Sequence, residues 1–170
     1  MGRSARQVIT PGEKLDLGFK IGVVRDGVAA EVPFGELLTR PTVVSVYMKN
    51  NTPSCDRQND ALIAVAGELD RAGFNLVALS RDTCRSHVRY AAAKGIGYTL
   101  ASDPEDRFAR AAGSLIEKSM YGRAFIGPAR AAFVFDRDGT VLAVAEKVDP
   151  AEHGAQLKEL IKPLRAETKG

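Results

Sequence analysis

The chain is poor in the residues that most often announce a chemistry. Its 170 residues include two cysteines, two histidines and no tryptophan, and only 6% are aromatic. Two cysteines cannot build the disulfide framework of a small secreted domain. Neither a C-x-x-C nor an H-x-x-x-H pair occurs, so the spacing of a zinc site is missing and no metal or cofactor is expected. No apolar run approaches the roughly 20 residues that span a bilayer, and the N-terminus lacks the apolar stretch of a secretory signal. The expectation is a cytoplasmic protein with no membrane partner. The net charge of +3 is scattered, with enrichment only at Arg3 and Arg6 and again at Lys158, Lys162, Arg165 and Lys169. Lacking a basic stripe interleaved with aromatics, the chain is not expected to bind nucleic acid.

What is present is ordinary for a globular protein: 45% hydrophobic and 26% charged residues. The length fits a single domain over 1–170 with a substantial core, and residues 1–13 read as a polar, loosely ordered start. Apolar runs at 19–24 and 28–32 flank Arg25-Asp26-Gly27, the signature of a β-hairpin. Residues 42–48 (TVVSVYM) read as a strand buried on both faces, followed by a helix over about 56–72 that ends at Gly73. A strand at 75–80, a helix capped by Asp82 or Thr83 and running to about Lys94, and a strand at 98–102 continue the alternation. Asp103-Pro104-Glu105-Asp106 predicts a helix start with proline at its first position. Residues 114–127 read as irregular. A second hairpin joins 131–135 and 141–146 around Asp138-Gly139, and Asp149-Pro150-Ala151-Glu152 opens a last helix, with Leu157, Leu160, Ile161 and Leu164 on its buried stripe. Crossover helices imply parallel central strands and tight hairpins imply antiparallel edges. The fold class is therefore α/β, a central mixed sheet flanked by helices.

Cys55 carries the chemical argument. It stands in Asn51-Thr52-Pro53-Ser54-Cys55, between a central strand and the helix after it. There the helix dipole and free N–H groups favour a thiolate, at the strand end where open α/β sheets hold their ligands. Thr52 offers a hydroxyl and Pro53 fixes the backbone that presents it. The plainer readings are a buried structural cysteine, a capping Thr52, a surface Arg130 beside a strand and a Cys84 that merely fills a helix start. His87 reads as a satisfied structural histidine and His153 as a solvated residue on the polar side of the last helix.

These residues resemble the peroxiredoxins, most closely the subfamily called peroxiredoxin Q or bacterioferritin comigratory protein. The resemblance runs from about Pro11 to Lys162. It is carried by 51–55 (NTPSC), Leu79-Ser80-Arg81-Asp82 leading to Ser86-His87, 100–104 (LASDP), 117–122 (EKSMYG) and Arg130 before the strand at 131–135. It implies a thioredoxin-like fold with an N-terminal β-hairpin extension. It also implies a peroxidase that reduces hydrogen peroxide and organic hydroperoxides through a cysteine sulfenic acid, recycled by thioredoxin or a similar thiol reductant, in a monomer or weak dimer. Cys55 is then the peroxidatic cysteine, Thr52 the hydroxyl that bonds thiolate and peroxide, and Arg130 the guanidinium that completes the pocket. Pro53, Ser54 and Gln58 line the substrate, with the N–H groups of Ser54 and Cys55 as further donors.

The chain departs from that pattern at three places. Met48 stands where the family usually has proline, and Gln58 where the subfamily usually has glutamate. The second cysteine is Cys84, whereas relatives carry theirs at positions matching Asp60 or Ala91. Cys84 is thus either the resolving cysteine or a bystander in a cycle closed by an external thiol. A thioredoxin-like disulfide oxidoreductase is the alternative reading, disfavoured by the missing C-x-x-C. A non-catalytic redox sensor on the same fold is the third, supported only by Met48 and the unusual cysteine pair.

Overall fold

The computed structural model describes residues 8–168. Strands β1 (Lys20–Arg25) and β2 (Val28–Pro33) pair antiparallel through Asp26 and Gly27. Both turn residues have positive φ (52° and 76°), as a type I′ turn requires. Strand β3 (Thr42–Val46) is buried along its whole length, because both faces of the sheet are covered. Helix α1 (Pro53–Arg71), strand β4 (Asn75–Ser80), helix α2 (Cys84–Lys94) and strand β5 (Thr99–Ser102) follow. Their alternation leaves β3, β4 and β5 parallel. Then come helix α3 (Arg107–Ala112), strands β6 (Leu115–Met120), β7 (Arg123–Pro128), β8 (Ala132–Phe135) and β9 (Val141–Ala145), and helix α4 (His153–Thr168).

Seven strands form one mixed sheet in the order β2-β1-β5-β4-β3-β8-β9. Alternate side chains of β3 feed two cores. Val44 and Val46 point into an aromatic core with Phe34, Phe108, Phe133 and Phe135, where T-shaped, tilted and stacked ring pairs lie 5.4–6.4 Å apart. Val43 and the following Tyr47 point into the other core, with Leu62 and Leu69 of α1, Tyr90 of α2 and Leu157 and Ile161 of α4. Helices α1, α2 and α4 therefore share one face, and α3 lies on the other.

Four expectations change. Residues 114–127 are not irregular: β6 and β7 make a separate hairpin whose two-residue turn, Tyr121-Gly122, has φ of 53° and 76°. Its strands expose Ile116, Phe125 and Ile126, so no buried alternation marks them, and Tyr-Gly is not the usual Asn-Gly or Asp-Gly turn pair. Helix α3 starts at Arg107, with Asp106 in the left-handed region, so Pro104 is not its first residue. Asp103 still serves the helix start, since its carboxylate accepts from Arg107 N (2.8 Å) and Phe108 N (3.1 Å). Helix α1 starts earlier than expected, at Pro53, in the first turn, where the missing N–H would have no partner within the helix. Of the segment expected to be loose, residues 1–7 lie outside the described residues, whereas Ile9 is buried, donates to Ala112 O at 2.8 Å, and Gly12 donates to Val141 O at 2.9 Å.

Candidate active site

The loop between β3 and α1 is built to hold a reversal. Asn51 adopts φ 64°, and Asn50 before it is buried and fully engaged. Asn50 N donates to Asp82 Oδ2 (2.9 Å), its amide nitrogen reaches Ser86 Oγ (3.0 Å) and His87 Nδ1 (3.1 Å), and its amide oxygen accepts from the Tyr47 hydroxyl (2.5 Å). His87 in turn donates from Nε2 to Ala101 O at 3.0 Å, and burial holds its pKa below the usual value. It is a neutral tether, not a base. The start of α2 thus anchors the loop that precedes α1.

Thr52 is the N-cap residue of α1, with extended backbone, but its hydroxyl makes no capping bond. It donates instead to Lys49 O at 2.8 Å and serves as hydrogen-bond partner to the Cys55 sulfur. Pro53 and Ser54 are exposed at the helix start. Cys55, the third residue of α1, is 1% exposed, and its Sγ accepts from Met48 N at 3.3 Å. Burial pushes the thiol up, but the Thr52 hydroxyl, the N–H groups of Lys49 and Met48 and the Arg130 guanidinium together outweigh it. The net shift is downward. The backbone donors to the sulfur are therefore those of Met48 and Lys49, on the wall of the loop, rather than the expected pair at Ser54 and Cys55. Sequence reasoning missed Met48 in this role because any non-proline residue there would have the N–H.

Gln58, one turn further along α1, is wholly buried and joins the site to the sheet. Its carbonyl oxygen accepts from Arg130 Nη1 at 2.7 Å, and its amide nitrogen donates to Val46 O (3.1 Å) and Ser45 Oγ (2.9 Å). Ser45 Oγ lies 2.8 Å from His153 Nε2. His153 is thus buried, contrary to the solvated position expected for it: α4 turns that side chain onto β3. Lys118 of β6 is a further cation near the thiol, with its Nζ 2.8 Å from Met48 Sδ. Burial, then Arg130, hold the Lys118 pKa below its usual value. Arg130 also borders a groove of about 470 Å³, walled mainly by Val8, Ile116, Ala129, Ala131 and Val148 together with Glu146 and Lys147.

The first turn of α1 is clamped from below. Tyr90 donates to Asp56 Oδ1 (2.7 Å), Tyr98 to Asn59 Oδ1 (2.7 Å), and Asn59 Nδ2 to Cys55 O (3.1 Å). Cys84 is not brought to this site. It opens α2 and turns towards β1, where a methyl group placed on Gly22 would stand 2.8 Å from its sulfur. Burial, the largest influence, pushes the Cys84 thiol up; the Ser102 hydroxyl opposes it and Glu31 adds to it. Strands β3 and β1 are three steps apart in the sheet, a separation of about 14 Å at ordinary strand spacing. Both thiols are free.

Among the described residues no three His, Cys, Asp or Glu side chains are grouped to hold a metal, and no helix is long and apolar enough to cross a membrane. The arrangement suits attack by a sulfur anion on a small electrophile held between a hydroxyl, two amides and a guanidinium.

The AhpC/TSA family model matches residues 19–144. The chain is 33% identical to peroxiredoxin Bcp of Xanthomonas campestris over 111 residues, 65% of this chain and 69% of that protein. A peroxiredoxin-named protein of Mycobacterium tuberculosis is 29% identical over 150 residues, 88% of this chain and 93% of its own. Among solved structures, the bacterioferritin comigratory protein of Xanthomonas campestris superposes with a TM-score of 0.80 at 23% identity, covering 94% of this chain and 99% of that one. That likeness gives the fold, which is thioredoxin-like.

Proposed function

The chain belongs to the AhpC/TSA family, in its peroxiredoxin Q or bacterioferritin comigratory branch, and is a thiol-dependent peroxidase; we propose that Cys55 is its peroxidatic cysteine. The observation that carries this is the setting of a nearly buried Cys55 sulfur, which accepts from Met48 N at 3.3 Å beside the Thr52 hydroxyl and the Arg130 guanidinium, groups that favour the thiolate against the upward pull of burial. The Cys55 thiolate attacks the distal oxygen of the hydroperoxide, the O–O bond breaks, and sulfenic acid forms on Cys55. The departing alkoxide or hydroxide takes a proton and leaves as alcohol or water. Thr52 bonds the attacking sulfur and the peroxide, and Arg130 stabilises the charge that grows on the departing oxygen, with bidentate donors that lysine lacks. Pro53 and Ser54 form the mouth above the thiol, and Gln58 orients Arg130.

Organic hydroperoxides are included as substrates because the apolar-walled groove beside Arg130 offers room for an alkyl group. The Xanthomonas relative is described as reducing alkyl peroxides. The sulfenic acid then condenses with a thiol, releasing water, and a second thiol reduces the resulting disulfide. Disulfide Cα atoms lie about 4.4–6.8 Å apart, so a Cys55–Cys84 bond needs the starts of α1 and α2 to unwind against the Asp56, Asn59, Tyr90 and Tyr98 bonds. That favours an external thiol, of thioredoxin type, over Cys84 as the resolving group. We further take the chain as one domain, working as a monomer or weak dimer in the cytoplasm.

Intact mass and free-thiol count after one equivalent of hydrogen peroxide test the cycle. Trappable sulfenic acid in both wild type and Cys84→Ser supports the external thiol. Loss of both thiols in wild type, with sulfenic acid only in Cys84→Ser, makes Cys84 the resolving cysteine. A Cys55→Ser protein with full peroxidase activity sinks the assignment of Cys55.

A further inference from the structure

We propose that His153 is a positioning residue for Arg130, acting through Ser45 and Gln58 although it touches neither thiol nor substrate. The inference rests on the assignment of Arg130 and Cys55 made above. Three elements meet in it: α4 supplies His153, β3 supplies Ser45 and α1 supplies Gln58.

The direction of every hydrogen bond in the chain is fixed from its two ends. Arg130 can only donate, and Val46 O can only accept. Gln58 must therefore turn its carbonyl oxygen to Arg130 Nη1 (2.7 Å) and its amide nitrogen to Val46 O (3.1 Å). The flipped amide would set donor against donor and acceptor against acceptor. Gln58 Nε2 consequently donates to Ser45 Oγ (2.9 Å). The Ser45 hydroxyl, already accepting, has its own proton free for His153 Nε2 (2.8 Å). That assigns His153 the neutral tautomer protonated at Nδ1, which donates to Gln156 Oε1 (3.1 Å), whose amide in turn donates to Lys147 O (2.6 Å). Burial, the largest influence, and the Arg130 charge both hold the His153 pKa down, in keeping with a neutral ring. His153, Ser45 and Gln58 are each fully buried, so water cannot replace a lost partner cheaply.

The consequence is mechanical. Without an acceptor at His153, the buried Ser45 hydroxyl loses the bond that fixes its orientation as the acceptor of Gln58 Nε2. Gln58 is the amide that fixes one arm of the guanidinium, and a small displacement of Arg130 weakens its hold on both thiolate and departing oxygen.

The experiment titrates the Cys55 thiolate by ultraviolet absorbance in a Cys84→Ser background and measures kcat/KM for hydrogen peroxide. His153→Leu removes the acceptor, Ser45→Ala removes the link, and His153→Gln returns an acceptor oxygen near the Nε2 position. Leu157→Ala, one turn later in α4, opens a cavity in the same core but supplies no bond to the chain. His153→Leu and Ser45→Ala are expected to raise the Cys55 pKa and to lower kcat/KM about tenfold. His153→Gln is expected to restore most of both, and Leu157→Ala to lower Tm while moving neither. An unchanged thiol titration in Ser45→Ala and in folded His153→Leu overturns the proposal, as does an equal shift in Leu157→Ala. A wild-type protein whose Cys55 does not react with peroxide fails the assignment of Cys55 instead, and that result is read independently of the titration.

Discussion

Two helices of this molecule begin alike and end up with different thiols. Helix α1 follows Thr52 and carries Cys55 in its first turn; helix α2 follows Thr83 and opens on Cys84. Both threonines have extended backbone, and both helices leave the carboxyl end of a parallel strand. Yet the Cys55 pKa is lowered and the Cys84 pKa raised. A helix dipole therefore does not decide the matter here. The hydroxyls do part of it: Thr83 Oγ1 accepts the capping bond from Ser86 N at 3.1 Å, whereas Thr52 accepts no capping bond and its hydroxyl, bonded to Lys49 O at 2.8 Å, also stands beside the Cys55 sulfur. The rest comes from what faces each thiol. Cys55 meets two amide N–H groups and a guanidinium, while Cys84 meets a glycine backbone, a serine and the Glu31 carboxylate.

The largest test of that contrast is removal of each sulfur. Cys55→Ser is expected to lower peroxidase turnover by about four orders of magnitude or more, because the nucleophile itself is gone. Cys84→Ser is expected to leave the second-order rate of Cys55 oxidation within about twofold, measured by stopped-flow fluorescence or competition with catalase. Next comes Arg130→Met, expected to cost about 10²–10³-fold in kcat/KM for peroxide and to raise the Cys55 pKa, with Arg130→Lys restoring part of the loss. An unchanged thiol titration in Arg130→Met would show that the guanidinium does not act on Cys55.

Met48→Pro is a finer cut, since it deletes one N–H donor at 3.3 Å from the sulfur. It is expected to raise the Cys55 pKa and slow peroxide oxidation by about tenfold or somewhat more, as one lost donor to a charged group implies. The mildest case is Gly22→Ala, whose methyl group would stand 2.8 Å from Cys84 Sγ. It should cost about 1–3 kcal/mol of stability by overpacking, seen as a lower Tm, with the peroxide rate unchanged. The two thiols also pull stability in opposite directions with pH. The native state favours the Cys55 thiolate, so that contribution is present above the ordinary thiol range and fades as pH falls through the lowered native pKa. It disfavours the Cys84 thiolate, so stability is lost as pH rises through the ordinary thiol range. Urea unfolding of Cys55→Ser and Cys84→Ser across alkaline pH should therefore diverge, Cys84→Ser losing less than wild type and Cys55→Ser losing more.

Much of this was legible in the sequence, for local reasons. The Asp26-Gly27 and Asp138-Gly139 turns, the mostly apolar β3 and the Thr52-Pro53 entry into α1 each depend on a few adjacent residues. That is enough to place Cys55 at a strand end. What stayed hidden depends on distant partners or on groups every residue has. His153 looks polar and solvated until β3 supplies Ser45, 108 positions away. The Met48 donor is a backbone N–H. The β6–β7 hairpin is exposed on most of its residues, so burial left no pattern to read. The opposite shifts of Cys55 and Cys84 are set by burial against the donors that face each thiol, and Arg130 and Glu31, which add to them, stand far away in sequence.

The most direct measurement is site-resolved mass spectrometry of both cysteines after substoichiometric hydrogen peroxide in the presence of a sulfenic-acid trap. The trapped adduct is expected on Cys55, with Cys84 recovered as free thiol or, at most, in a disulfide formed after Cys55 has been oxidised. An adduct on Cys84 in a Cys55→Ser protein at the wild-type rate, or equal labelling of the two cysteines in wild type, would contradict it.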